Sequence, residues 1–162
     1  MDVAQVLAVW IHTLAFVIAW GYYGVLARMI LPGLEQSIDR PGQVAALAAI
    51  ERRALPLVVL SLVLFTVTGT YLLLVDPHYA GLGNFFASTW TALMLVKHVL
   101  VIALVALGVG VDMLIRRLTD SAGTSDETAQ RSALRRVELA AEGVTGLGAL
   151  IVLMTAAAQA TA

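Results

Sequence analysis

Cysteine is absent from the chain, which excludes a disulfide scaffold and any thiolate metal site. Charge is scarce as well. Only 13% of the 162 residues are charged, about half the ~25% of an ordinary soluble domain, so a water-soluble globule and a disordered chain are both excluded. The formal net charge of -1 lacks the basic field that a nucleic-acid partner needs. Glycine follows no collagen-like period, and there is no His-Glu-x-x-His string, no serine nucleophile beside a base and no phosphate-cradling glycine loop; hydrolytic and nucleotide chemistry therefore have no support. What is abundant is apolar surface. Sixty per cent of the residues are hydrophobic and the mean hydropathy is +0.89, which leaves an integral membrane protein in contact with the lipid bilayer.

A hydrocarbon core ~30 Å thick needs about 20 apolar residues per helix, and four such runs are present. The first extends from about Val3 to Ala27 and is closed by Arg28 and the breaker pair Pro32-Gly33. The second, about residues 54–75, follows Glu51, Arg52 and Arg53, takes Pro56 in its first turn, and ends at Asp76-Pro77. A turn-like stretch from His78 to Asn84, with Gly81 and Gly83, leads to the third, from about Phe86 to Leu114, stopped by Arg116-Arg117. A polar loop, Thr119 to Gln130, precedes the fourth, from about Leu139 to Ala160. Short connections make this an all-α, up-and-down four-helix bundle in a single transmembrane domain covering residues 1–162.

All nine arginines lie in the loops joining spans one to two and three to four, while the other side carries Asp2, Asp76 and His78. The positive-inside rule then places both termini outside, in the cell inner (plasma) membrane of a bacterium. Met1-Asp2 lacks the basic start of a cleavable signal, so the first span belongs to the mature protein. Spans two and four both contain Val-Thr-Gly (Val67 to Gly69 and Val144 to Gly146), a weak sign of a duplicated hairpin; Gly108, Gly110, Gly143, Gly146 and Gly148 are expected where helices pack closely.

Ionisable groups in hydrocarbon are costly and mark sites. Three qualify: His12, Lys97 and His98. Asp112 reads instead as an i,i+4 partner of Arg116, and Glu138 and Glu142 as carboxylates in the first turns of the fourth helix beside Arg135 and Arg136. At 1.5 Å per residue His12 and His98 both lie ~14 to 18 Å from the outer boundary. Two imidazoles at one depth suit a haem iron with two axial ligands, or a copper ion. Ala8, Ala15 and Ala19 on the His12 face would leave room for a ring, and Thr91, Met94, Val101 and Val105 share the His98 face. Lys97, about 100° around the helix from His98, either snorkels outward or meets a haem propionate.

Copper(I) favours thioether and imidazole, so His12, Met94, His98 and Met154 form the alternative donor set. His78 is either a further ligand at the outer mouth or a solvated loop residue. Tyr79, Phe85, Phe86 and Trp90 are expected to form an outer interfacial belt, with Trp10 and Trp20 deeper in core or lipid packing.

The chain resembles a single-domain member of the copper resistance protein D (CopD) family. The resemblance rests on His12, the Trp20-Gly21-Tyr22-Tyr23-Gly24 and Thr66-Val67-Thr68-Gly69-Thr70-Tyr71 stretches, and Leu95-Val96-Lys97-His98-Val99-Leu100-Val101 with Gly108 beyond it. It covers the first three helices and implies copper uptake or tolerance. A more distant similarity is to the HemJ-type protoporphyrinogen oxidases, which are compact four-helix proteins with a b-type haem; it rests on a first-helix His and a third-helix Lys. This chain departs from that pattern in the spacing of Trp20 and Gly24 and in carrying Val109-Gly110 where a further His is expected, which counts against the enzymatic activity more than against the haem.

The leading expectation is a haem b held by His12 and His98 with Lys97 on a propionate, for electron transfer to quinone or another respiratory or redox membrane partner. The alternatives are copper transport, and a non-catalytic accessory membrane subunit, alone, as an oligomer or in a larger complex, whose histidines only bridge helices.

Overall fold

The structure is a computed structural model and describes residues 2–79, 81, 84, 86, 88–120 and 127–160. The described residues are helical almost throughout: α1 Val3–Val25, a π turn Leu26–Ile30, α2 Leu31–Ser37, α3 Arg40–Leu74, α4 Thr89–Asp120 and α5 Glu127–Gln159. Local sequence sets the starts. Asp2 caps α1, its carboxylate accepting from the Gln5 N–H at 2.7 Å while the Gln5 side chain accepts from the Asp2 N–H. Asp39 caps α3 through the Gly42 N–H, and Ser88 and Thr91 exchange hydrogen bonds at the start of α4.

The four long helices, α1, α3, α4 and α5, are each long and apolar enough to cross a membrane, and large apolar side chains such as Leu7, Trp10, Leu60, Val67 and Ile102 point outward. The fold is the expected all-α four-helix membrane bundle. Its helices are longer than the apolar runs, because an arginine ends hydrophobicity without ending a helix, for which it has good propensity. Thus α3 begins at Arg40, about three turns before Glu51, and α4 passes through Arg116-Arg117 to Asp120. Pro56 is consequently inside α3 and not in its first turn, and its missing N–H leaves the Arg52 carbonyl without its helical donor. Pro32-Gly33 does not break the first rod either. The N–H of Leu31 reaches back to Leu26 O, and this π turn shifts the register just where Pro32 cannot donate. Glu138 and Glu142 lie three to four turns inside α5, beyond the reach of its N-terminal dipole, and neither has an ion-pair partner among the described residues. Residues 121–126 of the expected polar loop, and Phe85 and Gly83, lie outside the described residues.

Two hairpins, α1 with α3 and α4 with α5, are joined chiefly by α1 against α5; α3 and α4 touch far less, and α1 and α4 stand diagonally. The arginine-bearing half is solid. Leu26, Leu47, Val111, Ile115, Val137 and Val144 are fully buried there, with Tyr23 lying against Gly108. The opposite half has only a small cluster, Trp90, Met94 and Ala158, and opens between α3 and α4.

Trp20 fastens the two hairpins, its indole N–H donating to Thr145 O at 2.9 Å. The ring occupies the space a side chain at Gly148 would need, since a Cβ there would overlap Trp20 Cδ1. Gly148→Ala is therefore expected to lower stability by about 1 to 3 kcal/mol, the usual cost of overpacking, measured by unfolding in detergent. Of the five glycines expected at close contacts, Gly108 and Gly148 are so placed, whereas Gly110 and Gly146 face open space and Gly143 makes an ordinary contact with Leu107 at 3.8 Å.

Candidate functional site: a histidine-lined cavity

The gap between α3 and α4 is a cavity of about 1010 Å³, at the upper end of the range for small-molecule sites. His12 and Val9 of α1, Phe65 and Gly69 of α3, Met94, Lys97, His98, Val101 and Val105 of α4, and Thr155 and Gln159 of α5 line it, with Asp76 and Pro77 at the end away from the arginines. His12, Met94, Lys97 and His98 therefore share one space, although Lys97 and His98 are adjacent in sequence.

His12 is held on three sides. Its Nδ1–H donates to Phe65 O at 3.0 Å and lies 3.1 Å from Thr68 Oγ1; the Thr68 hydroxyl proton is already donated to Leu64 O at 2.6 Å, so its oxygen accepts from the imidazole. The ring stacks on Phe65 with centroids 4.2 Å apart. Against its edge stands Gly69, where a Cβ would come within 2.8 Å of His12 Cε1. His98 is held differently. Its Nδ1–H donates to Met94 O at 2.6 Å, one turn back along α4, and it has no bond to another helix among the described residues. A carbonyl can only accept, so in both histidines Nδ1 carries the proton and Nε2 presents its lone pair. Backbone carbonyls orient metal-bound imidazoles in this way.

Two further polar residues line the cavity. Among the described residues Lys97 has no ion-pair partner, and the indole N–H of Trp90 has no hydrogen-bond partner and is itself buried, the residue being only 4% exposed. Trp90 is therefore an interior side chain and not part of an interfacial belt. It packs with Met94, and Tyr79 joins the same cluster, which leaves Phe86 as the exposed member of the expected belt among the described residues. His78 donates to Asp76 Oδ1 at 3.0 Å and rests against the Trp90 ring outside the cavity.

Several expected neighbours are elsewhere. Met154 does not line the cavity, because Ile151, Thr155 and Ala158 form the inward stripe of α5 and Met154 is about 100° around from Thr155. Ala8, Ala15 and Ala19 are buried but do not line it; their small size is used for helix contact and not for ligand space. Thr91 is taken up by the Ser88 cap. Among the described residues no three His, Asp or Glu side chains gather as a metal cluster, so an ion in this cavity would depend on the two imidazoles and Met94. The expected Asp112 pair with Arg116 is present at 2.9 Å. Chemically the cavity offers two imidazole nitrogens, one thioether and the amine of Lys97, framed by apolar walls. No protein-family model, curated protein or solved structure matches this chain.

Proposed function

We propose that this multi-pass protein lies in the inner (plasma) membrane with both termini outside, and that His12 and His98 are the axial ligands of a b-type haem. The role is electron transfer between the outer face and a membrane redox partner such as quinone. One observation carries the reading: two imidazoles on one large cavity, each with Nδ1–H committed to a backbone carbonyl and Nε2 unused. The residues present fit such a group in other respects. Phe65, Val9, Val101 and Val105 offer apolar walls, and Lys97 offers a donor to an anionic substituent such as a propionate. A bound haem would supply one-electron redox chemistry. The protein's own part is to orient two imidazoles, neutralise a carboxylate through Lys97 and keep bulk water from the arginine side out with the packed core below. Held by both His12 and His98, the group would pass electrons without binding substrate itself.

The test is a reduced-minus-oxidised difference spectrum of the protein purified in mild detergent and supplemented with haem. Bands of a bis-imidazole centre are expected, and their absence overturns the reading. Lys97→Met is expected to weaken haem retention about tenfold or more, the worth of one charge-assisted hydrogen bond, with band positions unchanged, and Lys97→Arg to restore it. A copper ion is the second reading, favoured by Met94, which lies on the cavity one turn from His98. It would show as metal bound to the same sample at one equivalent without haem, in line with the resemblance to the copper resistance protein D family.

A further inference from the structure

Well away from the histidine cavity, in the packed half of the bundle, a second group of polar atoms is buried without satisfaction. Asp112 is fourteen residues along α4 from His98, or ~21 Å nearer the arginine-bearing end. There Glu51 of α3 is only 7% exposed and lies within hydrogen-bonding reach of Asp112. Glu51 Oε1, Asp112 Oδ1 and the Tyr22 hydroxyl of α1 are all buried with no hydrogen-bond partner among the described residues. They border a space of about 10 Å³ that Tyr23, Val58 and Ile115 close, scarcely room for one water. The other carboxylate oxygen of Asp112 accepts from Arg116 Nε at 2.9 Å.

The arrangement has a simple chemical reading. With both acids ionised, Glu51 Oε1 and Asp112 Oδ1 are two buried acceptors that no donor among the described residues reaches, which is strongly unfavourable. One proton converts the pair into donor and acceptor and satisfies both atoms. It also balances charge, since two carboxylates then carry one negative charge against the single guanidinium of Arg116. The other groups facing the pair do not compete for this role. Tyr22 and Tyr23 from α1 are neutral hydroxyls, and Glu35 of α2, the remaining element packed on α3, is engaged by Arg40 at 3.3 Å.

We propose that Glu51 and Asp112 form a proton-binding site that takes one proton from the arginine side and holds it between two carboxyl groups on neighbouring helices. The site is independent of whatever occupies the histidine cavity.

Infrared spectroscopy of the full-length protein in lipid tests this. At neutral pH the expected result is a carboxylic-acid C=O band with the amplitude of one group, shifted in D2O and lost in a one-proton step on alkalinisation. Glu51→Gln is expected to remove the band and Asp112→Asn to shift it. The proposal is overturned if the wild-type protein has no such band at neutral pH, if Glu51→Gln leaves the band intact, or if sodium ions abolish it at constant pH, which would make the site one for a metal cation. The wild-type titration decides the matter even if a variant fails to fold.

Discussion

His98→Ala is expected to abolish the bis-imidazole difference spectrum while leaving the helical fold as stable as before. The two halves of that outcome come from one geometric fact: the only hydrogen bond His98 makes among the described residues is to Met94 O on its own helix. Removing the ring breaks no hydrogen bond between helices among the described residues, so the main cost falls on the ligand. Loss of a partner that merely supports a metal ligand typically costs 10- to 100-fold in affinity, and loss of the ligand itself should exceed that, about 100-fold or more. His12→Ala should behave differently. It removes the same kind of ligand but also the bond to Phe65 O and the stack on Phe65 that join α1 to α3. Destabilisation of about 1 to 3 kcal/mol should therefore accompany loss of the spectrum. Haem titration together with unfolding in detergent separates the cases. If His98→Ala binds haem as the wild-type protein does, the ligand assignment fails. If His12→Ala only destabilises, the accessory-subunit reading, in which histidines bridge helices, gains its one supporting residue.

The contrast between the two histidines also shows what the sequence made legible. Four apolar runs of membrane length led directly to four helices, because hydrocarbon thickness imposes a minimum length and scarcely anything else produces such runs. Helix ends were not legible in the same way. Arg116-Arg117 and Glu51-Arg52-Arg53 mark where apolar character stops, and the backbone continues helical through both. At the site, a constant rise per residue was enough to expect His12 and His98 at one depth, and both line one cavity. Helical angle alone placed Met94, His98, Val101 and Val105 on one face, and the same rule applied to α5 would have set Met154 aside in favour of Thr155. Phe65 had no signal, since a phenylalanine in an apolar run looks the same whether it meets lipid or an imidazole. Glu51 had one, as a carboxylate preceding two arginines and opposite Tyr22-Tyr23, but it read as a span boundary because burial depends on a partner helix that sequence spacing does not reveal.

The two Val-Thr-Gly strings supply the sharpest test of the cavity, because one carries a ligand's support and the other does not. A Cβ at Gly69 would fall 2.8 Å from His12 Cε1, whereas nothing lies within 4 Å of one at Gly146. Ordinarily the tip of a side chain can move aside at little cost, but His12 is anchored. Its Nδ1–H is shared between Phe65 O and Thr68 Oγ1, and Phe65 covers one face of the ring, so a shift of a few tenths of an ångström away from residue 69 strains the donor geometry and turns Nε2. Axial ligation tolerates little such rotation, and an error of about 0.5 Å in a supporting shell is enough to spoil a site. Gly69→Ala is therefore expected to lose the bis-imidazole spectrum or convert it to that of a centre with one imidazole, with at least a tenfold fall in haem affinity and overpacking destabilisation of about 1 to 3 kcal/mol. Gly146→Ala should leave the spectrum untouched and, by replacing glycine inside a helix, raise stability by up to about 1 kcal/mol. Measured side by side, equal spectra in the two variants would show that the ring beside Gly69 is not a ligand, whatever else the cavity holds. Loss in Gly69→Ala alone would tie the cofactor to the imidazole that α3 holds in place.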